Sequence, residues 1–182
     1  MRAMRRIKEW WAARVTRRAD PAWQLYRDTA LKATAAEQLN LLCLPETSEG
    51  RFEALALELA ALWLRLEEGS EEVQALRRRV AEAFVADMDA SLRDLGAGDL
   101  GVGRRVQALT ERLYGRIAAY RLIFPGDAPE KMIEEVLHRN LYKDFNPSSV
   151  DVHPHVIGEV RRIGDAWKAV DDQSLLSGKT RK

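Results

Sequence analysis

Apolar residues recur along this chain at intervals of three and four, the period of a helix face, and nowhere alternate long enough to make a strand. Seven segments carry that period. In the first, 4–18, Met4, Ile7, Trp11 and Val15 share one face and arginines surround the rest. Asp20 and Pro21 open a second, running to about 41, with Trp23, Tyr26 and Ala30 on one side. Aspartate caps free N–H groups there, and proline at the first helical position has no N–H to leave unpaired. Leu-Pro-Glu-Thr-Ser-Glu-Gly (44–50) reads as a turn, after which Thr47 or Ser48 can cap a third segment, 49–68. Its stripe of Phe52, Leu55, Leu59, Leu62 and Leu66 is widened almost to a full circle by Ala56, Leu57, Trp63 and Leu64. A helix apolar on nearly all sides belongs at the centre of a bundle. Glu58 interrupts that circle, which requires either an arginine partner or one wet edge.

The fourth segment, 71–95, turns Val73, Leu76, Val80, Phe84, Met88 and Leu95 inward, and Gly96 is a natural left-handed stop. Four glycines fall within 96–103, which reads as a loop, with the fifth segment beginning at about 104 and ending before Pro125-Gly126. Its inward face is Val106, Leu109, Leu113, Ile117 and Tyr120. A sixth, 127–142, presents Ile133, Val136, Leu137 and Leu141, and a seventh, 154–176, presents Ile157, Val160, Ile163, Trp167 and Val170. Long amphipathic helices joined by short turns must bury their faces on each other. The expected fold is therefore all-α, a single-domain bundle of about six to seven helices. Residues 1–20 form a basic amphipathic arm, 21–176 the helical domain and 177–182 a polar tail expected to fray.

Composition agrees with this reading and narrows it. The 182 residues are 46% apolar and 31% charged, too apolar for general disorder. A domain near this size buries roughly 70% of its unfolded surface, so it needs no disulfide or metal to hold it. Cys43 is the sole cysteine, which excludes an internal disulfide and suits a reducing compartment. The net charge is only +1 but is unevenly spread: residues 1–20 carry seven cations against two acids, the remainder 22 against 26. The basic character belongs to the arm, whereas a nucleic-acid-binding domain carries its stripe through the fold. No stretch approaches the ~20 apolar residues of a membrane span. The first twenty residues also lack the apolar core of a secretory signal.

Candidate chemistry changes little. Asp87 and Asp89 sit two apart, about 200° round a helix, so they cannot share a ligand. Asp89 and Arg93, four apart, can pair along the surface. His153, His155 and Asp151 form the one cluster of metal character, but a structural zinc needs four N/S ligands, and Cys43 and His138 lie far away on other elements. The Gly-x-Gly pairs of 96–103 follow a helix rather than a strand, and Arg104-Arg105 stands where a phosphate loop has Lys-Ser/Thr. Cys43, between two leucines, reads as buried, and no serine lies in a Gly-x-Ser-x-Gly elbow. The chain reads as a binding protein without catalytic residues, cofactor or metal. In the arm, Arg5, Arg6, Trp10, Trp11 and Arg14 suit an anionic membrane surface, where indoles settle at headgroup depth, or a ribosomal RNA surface. The same pattern also fits a first helix packed on the bundle.

An ordered set of motifs, spread over 23–142, carries a family resemblance. It runs through Leu25-Tyr26, Leu44-Pro45-Glu46-Thr47 and Gly50-Arg51-Phe52-Glu53. It is sharpest from Asp87-Met88-Asp89 and Arg93, through Gly98-Asp99-Leu100-Gly101-Val102 and Arg104-Arg105-Val106, to Tyr114-Gly115-Arg116 and Tyr120, and it closes with Arg139-Asn140-Leu141-Tyr142. In these the chain resembles the ubiquinol–cytochrome c chaperones, bacterial relatives of mitochondrial cytochrome b assembly factors. It departs from that pattern at Glu58, where the family tends to carry histidine, and at Gly103, where proline is common. The resemblance implies an all-α, non-catalytic assembly factor for cytochrome b of the ubiquinol–cytochrome c reductase. Implied partners are newly made cytochrome b, the ribosome, an anionic membrane surface, and a small partner protein or a second copy. Asp99, Leu100, Arg104, Arg105, Tyr114, Arg116 and Tyr120 are its candidate partner-facing or loop-bracing residues. The absence of a long presequence implies a bacterial cytoplasmic protein peripheral to the inner membrane. The alternatives are a lipid- or anion-binding helical protein, and a ribosome- or RNA-associated protein acting through the arm.

Overall fold

The computed structural model describes residues 20–94, 99–145 and 154–181, with the backbone alone at 99 and 100. The basic arm, apart from Asp20, therefore lies outside the described residues. Among those described there are eight helices and no strand: α1 (Pro21–Ala33), α2 (Ala36–Leu41), α3 (Ser48–Glu67), α4 (Glu71–Asp94), α5 (Asp99–Tyr120), α6 (Glu130–Asn140), α7 (Pro154–Lys168) and α8 (Asp172–Leu176).

α3 is the central rod. Every residue from Phe52 to Leu62 is buried, and α1, α2, α4, α5 and α7 pack around it. The near-continuous apolar circle in its sequence dictates that position, because no side of it can face water cheaply. Thr47 caps it, accepting a hydrogen bond from the Gly50 amide at 3.2 Å. Gly50 itself is required, since a Cβ there would run into the Pro45 carbonyl of the preceding turn. α1 is capped as its sequence predicts, with Asp20 accepting from the Ala22 amide at 2.9 Å and Pro21 in the first turn.

The helix ends differ from the sequence reading at four places. The predicted segment 20–41 is two helices, because Ala35 is extended (ψ 143°) and redirects the chain so that Gln38 and Leu39 enter the core. α5 begins at Asp99, not near 104, so Gly101 and Gly103 are helical. Glycine costs about 1 kcal/mol in a helix interior, but Val102 is fully buried and Val106 nearly so. Burial of that face carries the turn that propensity opposes. The predicted segment 154–176 is likewise divided: Asp171 is extended and caps α8, accepting from the Ser174 amide at 2.8 Å.

The fourth difference is the tail, which was expected to fray beyond 176. Residues 177–181 instead fold back. Gly178 takes a positive φ of 76°, where a Cβ would strike Gln24 and Pro21, and the Lys179 amide donates to the Ser174 carbonyl at 2.9 Å. Arg181 then enters the core at 6% exposure. A charged side chain goes there because a charge of the opposite sign already waits inside.

Candidate functional site

That charge is Glu58, 1% exposed in the middle of α3. Arg181 pairs with both its carboxylate oxygens, Nε to Oε2 at 3.3 Å and Nη2 to Oε1. The Trp167 indole N–H donates to Oε2 at 3.1 Å. The Lys32 ammonium donates to the Arg181 carbonyl, and burial, with the Arg181 charge beside it, holds Lys32 below its ordinary range. The pairing with an arginine that Glu58 demands is met, by a residue more than a hundred positions away.

A second buried carboxylate, Glu53, lies one and a half turns earlier on α3. Arg116 of α5 grips it through a fork, Nε to Oε2 and Nη2 to Oε1, both at 2.8 Å. Arg112 adds a third donor and also reaches Glu49 and Asp144, the latter at 3.2 Å, while its guanidinium lies 4.5 Å above the Phe52 ring. Glu49, Glu53 and Asp144 thus converge as metal ligands could, with a guanidinium at their focus. Arg116 also donates to Asn140 on α6 at 3.3 Å. Burial opposes the charge of Arg116, but the hydrogen bonds and charge of Glu53 outweigh it and raise its pKa. Tyr120, wholly buried, is pushed well up by burial and by Glu53, and its hydroxyl has no hydrogen-bond partner among the described residues.

This network fixes α5 against α3 and α6. In front of it, α4 and α5 line an open groove of about 970 Å³. Small residues line it, Ala81, Ala86 and Ala90 on α4 and Gly103 on α5, so there is no bulk to close it. Tyr114 stands at one end, 45% exposed and edge-on to Trp63 at 5.7 Å, and Val85 is 37% exposed beside it. The rim carries both signs: Arg78, Arg93, Glu82, Asp89 and Asp94. Asp89 and Arg93 pair at 2.7 Å as their spacing predicts.

The sequence-predicted cluster is therefore divided. Tyr114 lines the groove, and Arg104 and Arg105 are exposed on the first turns of α5. Arg116 and Tyr120 point inward and cannot face a partner, because Glu53 draws one and the core the other. The side chains of Asp99 and Leu100 lie outside the described residues, as do Arg5, Arg6, Trp10, Trp11 and Arg14. Asp87 and Asp89 diverge as expected; Asp87 accepts from the Tyr26 hydroxyl at 2.6 Å, and burial and that contact push Tyr26 up.

One further expectation is corrected. Cys43 is exposed, not buried, and lies beside His155, Sγ to Nε2 3.4 Å, rather than remote from it. The cause is a helix stop. The Leu44 amide donates to the Leu39 carbonyl at 2.8 Å and the Cys43 amide to Asn40 at 3.1 Å, the bonding of a left-handed C-terminal cap. Cys43 occupies its left-handed position (φ 52°), where glycine is usual, and that turns its side chain outward. His153 lies outside the described residues.

An all-α bundle with an open, small-residue groove and an arginine-braced core defines a class of helical binding protein. Residues 40–181 match the model of the ubiquinol-cytochrome C chaperone family, and the chain belongs to that family. None of the curated proteins matches it. Among solved structures it is similar to the crystal structure of the Cbp3 homolog from Brucella abortus, at 25% identity and a TM-score of 0.68. That similarity covers 97% of this chain and 96% of the other. A chaperone role in assembly of the ubiquinol–cytochrome c system follows. No described helix is long and apolar enough to cross a membrane.

Proposed function

We propose that this protein is a non-catalytic chaperone that holds newly made cytochrome b, receiving an apolar segment of it in the α4–α5 groove. The groove carries the reading: its walls are alanine, glycine and valine with one exposed tyrosine, which lets a client helix approach closely and dock against an aromatic edge. The Glu53–Arg116 fork behind it fixes one wall, α5, against the central helix α3. In this reading the protein works in a bacterial cytoplasm, peripheral to the inner membrane. The basic arm, through Arg5, Arg6, Trp10, Trp11 and Arg14, keeps it near anionic lipid or the ribosome. Arg104 and Arg105, exposed at the start of α5, are available to a partner protein.

A photoreactive residue placed at Val85 or Tyr114 should crosslink to newly made cytochrome b. The same residue at Met132 on α6, exposed but outside the groove lining, should not. Equal yield from both positions overturns the assignment of the surface. A deletion strain with wild-type cytochrome b haem absorbance and reductase activity overturns the assembly reading itself. Deleting residues 1–18 should leave a folded domain that no longer sediments with anionic vesicles; unchanged sedimentation removes the arm from the account.

A further inference from the structure

A second cavity, of about 490 Å³, opens on the other side of α4, between α1 and α3. Its walls are Trp23, Ala30 and Leu31 from α1, Phe52 and Leu55 from α3, and Met88 from α4. The buried polar groups within it are already engaged, the Tyr26 hydroxyl donating to Asp87 and the Thr34 hydroxyl to the Ala30 carbonyl at 2.7 Å, and Ser48 of the lining is exposed. What enters must therefore be apolar.

The mouth is different. Arg27 and Arg51 line it, and the one carboxylate of the lining, Asp87, is held by Tyr26. The guanidiniums are paired, Arg27 with Asp28 at 2.9 Å and Arg51 with Glu46 at 3.5 Å, Arg51 also donating to the Thr34 carbonyl at 2.8 Å, but both carboxylates stand outside the cavity and both pairs are exposed. Exposed pairs of this kind contribute little, so either arginine can turn to an anion at the mouth. Leu31 lies at the same opening, 65% exposed, an apolar surface that a bound chain would cover. The α4–α5 groove has no such polarity, since acids and bases alternate along its rim. A volume within the range of ligand pockets, an apolar floor and two cations at the entrance select one chemistry.

We propose that this cavity binds a single acyl chain bearing an anionic head, the chain against Trp23, Phe52 and Met88 and the head between Arg27 and Arg51. The inference concerns a different site from the α4–α5 groove and stands or falls apart from the client reading. The chain can belong to a free fatty acid or to an anionic phospholipid.

The full-length protein is titrated with dibrominated stearate below its micelle concentration. In parallel it receives vesicles whose phosphatidylglycerol, or phosphatidylcholine alone, carries brominated chains. Quenching that disappears in Trp23→Phe reports entry into this cavity. Arg27→Glu/Arg51→Glu, both at exposed positions, should weaken it about tenfold. Ala30→Phe, which fills the space, should abolish it with circular dichroism unchanged. Quenching by stearate alone assigns a free acid, and quenching by phosphatidylglycerol vesicles alone assigns a membrane lipid. Quenching that phosphatidylcholine matches, that charge reversal leaves unaltered, or that never depends on Trp23 overturns the proposal.

Discussion

Replacing Arg181, a residue of the polar C-terminal tail, should destabilise the whole bundle. Arg181→Met leaves the Glu58 carboxylate at 1% exposure with the Trp167 indole as its remaining side-chain donor among the described residues. Removing one partner of a buried ion pair costs about 3–5 kcal/mol, because the other charge stays out of water. Freeing residues 177–181 returns chain entropy, of order 1 kcal/mol per residue, but also gives up their packing, so the lower end is expected. With a urea slope of about 2 kcal/mol/M, a loss of about 3 kcal/mol moves the midpoint down by about 1.5 M. Tryptophan fluorescence and circular dichroism should show one shared, earlier transition. Glu58→Leu combined with Arg181→Met removes both charges and should recover to within about 1 kcal/mol of the parent. Arg121→Ala, which breaks the exposed pair with Glu67, should lose less than about 1 kcal/mol. An Arg181→Met variant as stable as Arg121→Ala, or a double variant no better than the single one, would falsify the buried-pair account.

Three other outcomes follow from the same structure. Cys43→Gly relieves a left-handed strain of about 1–2 kcal/mol at an unfolded-state cost of about 0.5–1 kcal/mol. Its midpoint should therefore rise slightly, and a fall would show that the His155 contact outweighs the strain. Arg116→Met should cost about 2 kcal/mol, less than Arg181→Met because Arg112 still reaches Glu53; a larger loss would make Arg116 the sole support of that carboxylate. Hydrogen bonds from Arg65 and the Ser70 amide hold Asp172 below the ordinary carboxylate range. A depressed folded pKa contributes stability above the ordinary value that is lost as pH falls through the folded one. The thermal midpoint should accordingly drop below about pH 4, less steeply in Asp172→Asn. A slope unchanged by that substitution assigns the acid sensitivity elsewhere, Glu159 being the next candidate, since Arg162 and Gln38 outweigh its burial and lower its pKa.

Much of this was readable in the chain because helix faces and caps are local. The stripe of α3, the Asp20-Pro21 start, the Thr47 cap and the Asp89–Arg93 pair are all set within a few residues. What escaped was set at a distance. Gly101 and Gly103 read as loop because propensity is local, whereas Val102 is held by tertiary burial. Cys43 read as buried because its neighbours are leucines; only the cap geometry turns it out. Tyr114 and Tyr120 stand six positions apart on one inherited motif, yet one is at the surface and the other wholly buried. Glu58 announced a partner without naming it: an acid in an apolar circle requires a cation, but nothing in the order of residues pointed to the last turns of the tail.

The Glu53–Arg116 pair bears on why a bundle with an open groove can stay open. Two carboxylates on the central helix are each satisfied by an arginine from elsewhere, Arg116 on α5 and Arg181 on the tail. Hydrophobic burial alone is non-directional and would let α5 slide toward α4 to cover Val85 and Tyr114. A forked guanidinium on a buried carboxylate is directional, and sliding by one turn would strand both charges. The groove is thus held apart by a contact behind it rather than by anything within it. Weakening that contact should therefore change client capture before it changes the groove's own residues. Arg116→Lys keeps the charge but loses the fork. It should reduce crosslinking of cytochrome b from Tyr114 while the helical signal stays intact, and undiminished crosslinking would detach the brace from the function.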